Sequence, residues 1–162
     1  MLVFNASPLI VLAKAGLIDP IMTLADRVVI PRPVALEIAG FNHPADAACA
    51  WIGTPAAQSF IAEPPVTSDF VAAWGLGAGE SAVISLVESL PGSIAVLDDL
   101  AARRCAGALR LQVVGTLGLL LMAKKAAVIP AVSGPLNDIV SAGLFIAPKH
   151  LSAILEQVGE AP

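Results

Sequence analysis

Ile94-Ala95-Val96-Leu97-Asp98-Asp99 is the stretch whose reading decides the fold. It opens with an apolar run that lacks period-two alternation and closes on two carboxylates. Such a run predicts a strand buried on both faces, as in a parallel sheet. The segment behind it, Leu100 to Leu109, is rich in Ala, Leu and Arg and predicts a helix. Two acids therefore fall where a buried strand ends and a helix begins. In open α/β sheets that carboxyl edge is where ligands bind. Asp is also a favoured helix N-cap, so one of the two can serve as a cap, but a cap does not account for both.

Outward from this stretch the same alternation recurs. On the N-terminal side, Leu2-Val3-Phe4 reads as a short strand followed by Asn5-Ala6-Ser7-Pro8. Ser7 as N-cap and Pro8 at the first helical position predict a helix through Ala15, closed by Gly16. A short helix over Pro20 to Ala25 precedes the strand Val28-Val29-Ile30. Pro31 stops that strand, and Pro33 opens a helix from Val34 to Ala39 that carries Glu37. Phe41-Asn42-His43-Pro44 is a loop, and Ala45 to Ile52 a helix. Ser59 to Ala62 is a candidate strand and Ser68 to Trp74 a short helix. The glycine-rich Gly75 to Gly79 reads as a loop before a long helix, Glu80 to Leu90. On the C-terminal side come a strand at Gln112-Val113-Val114 and helices over Leu117 to Ala127 and Pro130 to Ala142. An edge strand at Phe145-Ile146 and a terminal helix over Pro148 to Val158 complete the order. Repeated β-α units predict a mostly parallel sheet with helices on both faces.

The 162 residues suit one domain with a substantial core. Composition is 57% hydrophobic and only 14% charged, with mean hydropathy +0.83, against about a quarter charged in typical domains. So few charges leave apolar surface for a partner, which favours a homodimer or a dedicated binding protein. The longest apolar run, Val113 to Ala123, falls short of the roughly 20 residues a bilayer requires. Lys124-Lys125 closes it, as in the last turn of a soluble helix. Met1 to Ile10 has no basic region and does not read as a signal peptide. Cys49 and Cys105 lack metal-ligand spacing and read as buried free thiols in a reducing cytoplasm. The net charge of −4 argues against a broad basic nucleic-acid footprint.

Polar groups cluster at the βα junctions: Asn5 and Ser7, Glu37, Glu80, Asp98 with Asp99, and Thr116. In a parallel sheet these junctions share one edge. Carboxylates brought together there repel one another unless a cation lies between them. Hard divalent cations such as Mg²⁺ or Mn²⁺ prefer such oxygen ligands, and a metal so held can activate water for phosphodiester hydrolysis. Each residue also has a plain structural reading. Glu37 can be a solvated helix residue, Glu80 can answer the helix dipole, and Asn5-Ala6-Ser7 can be a turn and cap. Arg103 and Arg104 are either a solvated face or phosphate contacts. His43 and His150 read as surface residues.

Taken together, Val3 to Ile10, Ile30 to Glu37, Gly77 to Val83, Leu97 to Arg104 and Val114 to Gly118 resemble the PIN-domain ribonucleases. They resemble in particular a PIN-like branch long listed as a domain of unknown function. The resemblance spans nearly the whole chain, in order. It implies a Rossmann-like three-layer α/β/α sandwich and RNA cleavage with Mg²⁺ or Mn²⁺ held by acids. It also implies, as for many VapC-type toxins, a small antitoxin partner and a homodimer. By the same resemblance Glu37, Glu80 and Asp98 or Asp99 match the second, third and fourth acids. Ser7 matches a small hydroxyl residue, and Thr116 a recurrent strand-end hydroxyl. Asn5 stands where the first acid usually stands; its amide offers a carbonyl oxygen but no charge.

Three functions follow. The first is a metal-dependent endoribonuclease, with Glu37, Glu80, Asp98 and Asp99 as metal ligands and catalytic groups and Asp99 orienting water. Asn5 and Ser7 support that site, and Arg103, Arg104 or Lys124 neutralise phosphates. The second is a catalytically weak or inactive PIN-like module that binds RNA or a partner protein. The third is a nucleotide-binding module, which the sequence disfavours. Gly75-Leu76-Gly77-Ala78-Gly79 places Glu80 where a dinucleotide fingerprint needs glycine, and no Gly-Lys-Ser/Thr follows. A Ser-His-Asp hydrolase lacks a nucleophile elbow.

Overall fold

The computed structural model describes residues 1–40, 46–144, 146, 154–156 and 159–160. In chain order the elements are β1 (Leu2–Phe4), α1 (Ala6–Lys14), α2 (Ile18–Met22), β2 (Val28–Pro31), α3 (Arg32–Gly40), α4 (Ala47–Ile52), α5 (Pro55–Gln58), β3 (Ile61–Ala62), α6 (Asp69–Ala72), α7 (Ala78–Ser89), β4 (Ile94–Val96), α8 (Leu100–Ala108), β5 (Gln112–Val114), α9 (Thr116–Lys125) and α10 (Ser133–Ser141).

Among the described residues the strands form one five-stranded sheet in the order β3-β2-β1-β4-β5. Every pairing is parallel, and helices flank the sheet, as the β-α alternation predicts. Parallel strands covered by helices must be apolar on both sides. β1 is buried at all three residues and β2 at all four. Phe4, Leu9, Leu12, Ile30, Leu97, Leu119 and Leu120 are among the largest fully buried side chains. Each contributes about 1.5–3 kcal/mol of transfer free energy.

Strand order places the site. From β1 the chain builds outward through β2 and β3, then crosses back to add β4 on the other side of β1. The order therefore reverses between β1 and β4, and ligands of open α/β sheets bind in the crevice outside that switch point. Phe4 is in register with Val96, and Val96 with Val114. The Asn5 N–H donates to Val96 O at 3.2 Å, and the Leu97 N–H to Val114 O at 2.9 Å. The three strands thus end level, and Asn5 and Asp98 flank the crevice.

Several local expectations are corrected. α1 begins at Ala6, with Asn5 in the N-cap position, so Ser7 lies inside the helix and is exposed rather than capping it. Pro8 is tolerated there because first-turn N–H groups have no intrahelical partner to lose. α7 begins at Ala78, so Gly79 belongs to the helix and not to a loop; Gly77 is its N-cap. α5 was not legible as a helix, although Thr54 caps it by accepting from the Ala57 N–H at 3.2 Å and Pro55 opens it. α2 lies nearer the N-terminus than expected. Cys105 is a buried free thiol, whereas Cys49 is free but only half-buried. The loop with His43, the strand residue Phe145, and His150 with most of the terminal helix fall outside the described residues.

Candidate functional site

Alternation cannot say which of Asp98 and Asp99 faces the crevice. Leu97 decides it: its side chain is fully buried and its N–H continues the ladder to β5. The next residue then turns toward the end of β5. There the Asp98 carboxylate accepts the Thr116 N–H at Oδ1 (2.8 Å) and the Thr116 hydroxyl at Oδ2 (2.6 Å). Asp99 has extended N-cap geometry, and its Oδ1 accepts the Ala102 N–H at 2.8 Å. Asp99 is the cap of α8, and Asp98 is the strand-end acid.

Across the switch point lies a second group. Asn is a favoured capping residue, and Asn5 holds the N-cap position of α1, yet its side chain makes no capping hydrogen bond. The residue is only 5% exposed. Its Oδ1 is the one buried side-chain N or O atom among the described residues without a hydrogen-bond partner. An unsatisfied buried acceptor costs about 1–3 kcal/mol, and such exceptions point to a functional role. Oδ1 is directed at the first turn of α7. The position a Cβ on Gly79 would take lies 3.1 Å from Asn5 Oδ1 and 2.8 Å from Glu37 Oε2, so the amide and carboxylate oxygens converge on one point. Glu80, one residue further on, turns back so that its Oε2 accepts the Gly77 N–H at 2.9 Å.

Glu37 is exposed as a residue, but its carboxyl packs against Gly79. Partial removal from water raises its pKa, and the charge of Glu80 raises it further. Glu37 and Glu80 therefore share one electrostatic environment.

Among the described residues, no three His, Cys, Asp or Glu side chains gather as a metal-holding group. The expected set of Glu37, Glu80, Asp98 and Asp99 does not close into one carboxylate cluster. Repulsion is relieved locally, because Glu80 takes the Gly77 N–H, Asp98 takes Thr116 and Asp99 takes the Ala102 N–H. The donor set nonetheless fits a hard divalent cation at the Asn5 side. There a buried carbonyl oxygen without a donor stands beside one carboxylate and near a second, the oxygen chemistry such cations prefer.

The remaining candidates divide. Thr116 is fully buried and holds Asp98. Arg103 is exposed, donates from Nη1 to Leu97 O at 3.2 Å, and lies against Gly115 beside Asp98. Arg104 and Ser7 are exposed and make no side-chain hydrogen bond among the described residues. Lys124 is not a free phosphate contact: its Nζ donates to Pro130 O and pairs with Glu160 at 2.9 Å. A cavity of about 780 Å³ opens beside Asp98, Arg103, Gly115 and Leu117.

Sequence reasoning missed Gly79 and Gly115 as site residues. Their signal was slight: glycine at positions where helix or strand-end chemistry would accept alanine. A Cβ at Gly115 would lie 2.9 Å from Asp98 Oδ1 and 2.7 Å from Arg103 Nη1, so glycine is what lets both groups approach the end of β5.

A parallel α/β sheet with Asn5, Glu37, Glu80 and Asp98 at its carboxyl edge defines a Rossmann-like protein with a candidate site at its switch point. A family model described as PIN domain matches residues 1–160, and the chain belongs to the PIN-domain family, whose fold is nuclease-like. No curated protein and no solved structure matched the chain. Among the described residues no helix is long and apolar enough to cross a membrane.

Proposed function

We propose that this protein is a metal-dependent endoribonuclease of PIN type, the toxin of a toxin–antitoxin pair acting in the cytoplasm. The observation that carries this reading is the buried, unpartnered Asn5 Oδ1 beside Glu37 and Glu80 at the switch point. Asn5, Glu37 and Glu80, with Asp98 across the crevice, would hold Mg²⁺ or Mn²⁺. When bound, such a cation shields phosphate from the carboxylates and lowers the pKa of water.

The chain's own residues supply the rest. Thr116 fixes the Asp98 carboxylate by donating two hydrogen bonds to it. Asp99 gives Oδ1 to the helix and keeps Oδ2 to orient water. Arg103, held by Leu97 O, offers its remaining N–H donors to a phosphate beside Asp98, with Arg104 further out on α8. Ser7, exposed on α1, lines the approach, whereas the buried Thr116 acts through Asp98. Attack of water on phosphorus breaks the P–O bond to the leaving ribose oxygen, which takes up a proton. With net charge −4, RNA is gripped through these local contacts rather than a basic surface. Exposed Leu36, Phe70 and Leu100 suit cover by an antitoxin or a second copy. The fold is read as a single domain, with the residues from about 130 as its extension.

A catalytically weak module that binds RNA or a partner protein is the second reading. Asn5 in place of an acid favours it, as does the absence of a three-acid group among the described residues. Cleavage of a labelled mixed RNA with Mn²⁺, Mg²⁺ or EDTA, beside Glu80→Gln, separates the two. Metal-dependent cutting abolished by the substitution establishes the nuclease. A folded, antitoxin-free protein that does not cut under any of these conditions establishes the second reading.

A further inference from the structure

We propose that Gly79 is a positioning residue: its missing side chain keeps room beneath the first turn of α7 for a divalent cation on which Asn5 Oδ1 and Glu37 Oε2 converge. This rests on the metal-dependent reading above and extends it to a residue that carries no ligand atom.

Glycine is the poorest helix former after proline, and Gly79 is buried inside a twelve-residue helix. Its φ is not in the left-handed region, so backbone conformation does not require glycine. The crowding does. A Cβ there would lie 2.8 Å from Glu37 Oε2, 3.1 Å from Asn5 Oδ1 and 3.2 Å from Val34 Cγ2. Two of these three neighbours are oxygens. One of them is buried without a hydrogen-bond donor. Close packing of α7 on α3 accounts for the room against Val34 and Glu37, but not for the unpaired acceptor of Asn5, which lies outside α3. Room at Gly79 bounded by an amide oxygen and a carboxylate suits a cation that takes oxygen ligands.

The neighbours also make the idea testable without unfolding the protein. Glu37 is exposed, and its carboxyl is the far end of a flexible side chain, so it can swing away from an added methyl group. The buried Asn5 Oδ1 and Val34 Cγ2, at 3.1 and 3.2 Å, need give only a few tenths of an ångström. Gly79→Ala should therefore fold with a melting temperature near the parent's, while Glu37 is displaced from Asn5. Gly107, an exposed α8 glycine with nothing within 4 Å of an added Cβ, supplies the control Gly107→Ala.

The experiment is Mn²⁺ titration of the purified full chain, followed by electron paramagnetic resonance of free Mn²⁺, with melting curves for each variant. We expect Gly79→Ala to bind Mn²⁺ on the order of tenfold to a hundredfold more weakly, the range for residues that position metal ligands, and Gly107→Ala to bind as the parent does. Undiminished binding by Gly79→Ala overturns the assignment of Gly79 and leaves the nuclease reading standing. A parent chain that binds no Mn²⁺ overturns both. If Gly79→Ala does not fold, Asn5→Leu decides: it replaces the orphan acceptor by apolar atoms of similar shape. Retained Mn²⁺ affinity in that variant overturns the proposal, and loss with stability kept supports it.

Discussion

Asp98 and Thr116 form a closed pair: the backbone N–H of Thr116 reaches one carboxylate oxygen at 2.8 Å and its hydroxyl reaches the other at 2.6 Å. The pair joins the ends of β4 and β5 and fixes a carboxylate at the switch point. Thr116→Val keeps the shape of the fully buried side chain and removes one donor to a charged acceptor. We expect a stability loss of about 1.5–3 kcal/mol, the cost of a hydrogen bond to a charged group, read by urea unfolding. RNA cleavage should fall with it. Unchanged stability would mean that the hydroxyl does not hold Asp98 in solution.

Asp98 and Asp99 should separate cleanly in mutagenesis. Asp99→Ala removes a helix cap and should cost about 0.5–2 kcal/mol, and Asp99→Ser should restore most of that stability. Asp98→Asn should spare the fold and abolish Mn²⁺-dependent cleavage. Asp99→Ala as stable as the parent, beside an Asp98→Asn variant that is destabilised but still cuts, would exchange the two roles.

Glu37 gives a pH signature. Its carboxyl pKa is raised in the folded protein, by burial first and by Glu80 second. A raised carboxyl binds its proton more tightly folded than unfolded, so its stabilising contribution is present at low pH. That contribution is lost as pH rises from the ordinary carboxylate range through the raised value. Glu37→Gln stays neutral throughout. Relative to the parent, this variant should therefore gain stability as pH rises through that window, as measured by denaturant unfolding at a series of pH values. A constant difference across the series would contradict the crowding of Glu37 against Gly79 and Glu80.

At the far end of the chain, Glu160 acts as the cap that α10 otherwise lacks. Its carboxylate accepts the N–H groups of Val132 and Ser133 and pairs with Lys124. Those contacts lower its pKa to about 2. The sign is opposite to that of Glu37: the contribution is present above the ordinary carboxylate range and is lost as pH falls toward about 2. Glu160→Gln should speed amide exchange at Val132 and Ser133 at neutral pH and leave β1 and β4 protected. Equal exchange in parent and variant would show that this contact does not form in solution.

Strand ends at Phe4 and Val114 were readable because apolar runs stop where the chain leaves the sheet, and the end of β4 was read one residue late, at Leu97. Glu37, Glu80 and Asp98 fell at the right edge because a β-α alternation brings every strand's carboxyl end to one side. Ser7 was misread as the cap because local sequence prefers Ser before Pro, while the depth of Asn5 in the crevice set the helix start. α5 was missed because four residues carry too little periodicity to register.

The sequence by itself determined the parallel sheet, its element order and the edge on which the acids lie, because strand and helix periodicities are local and are written in the spacing of apolar residues. Tertiary structure alone decided that Asp98 turns to Thr116 at the end of β5 while Asp99 caps, since the deciding donors on Thr116 stand 18 residues away. It also decided that Asn5 leaves its Oδ1 unpaired and that Gly79 lets that oxygen and Glu37 converge. Side-chain direction and approach distance depend on what packs across the switch point, and residues brought together there are distant in the chain.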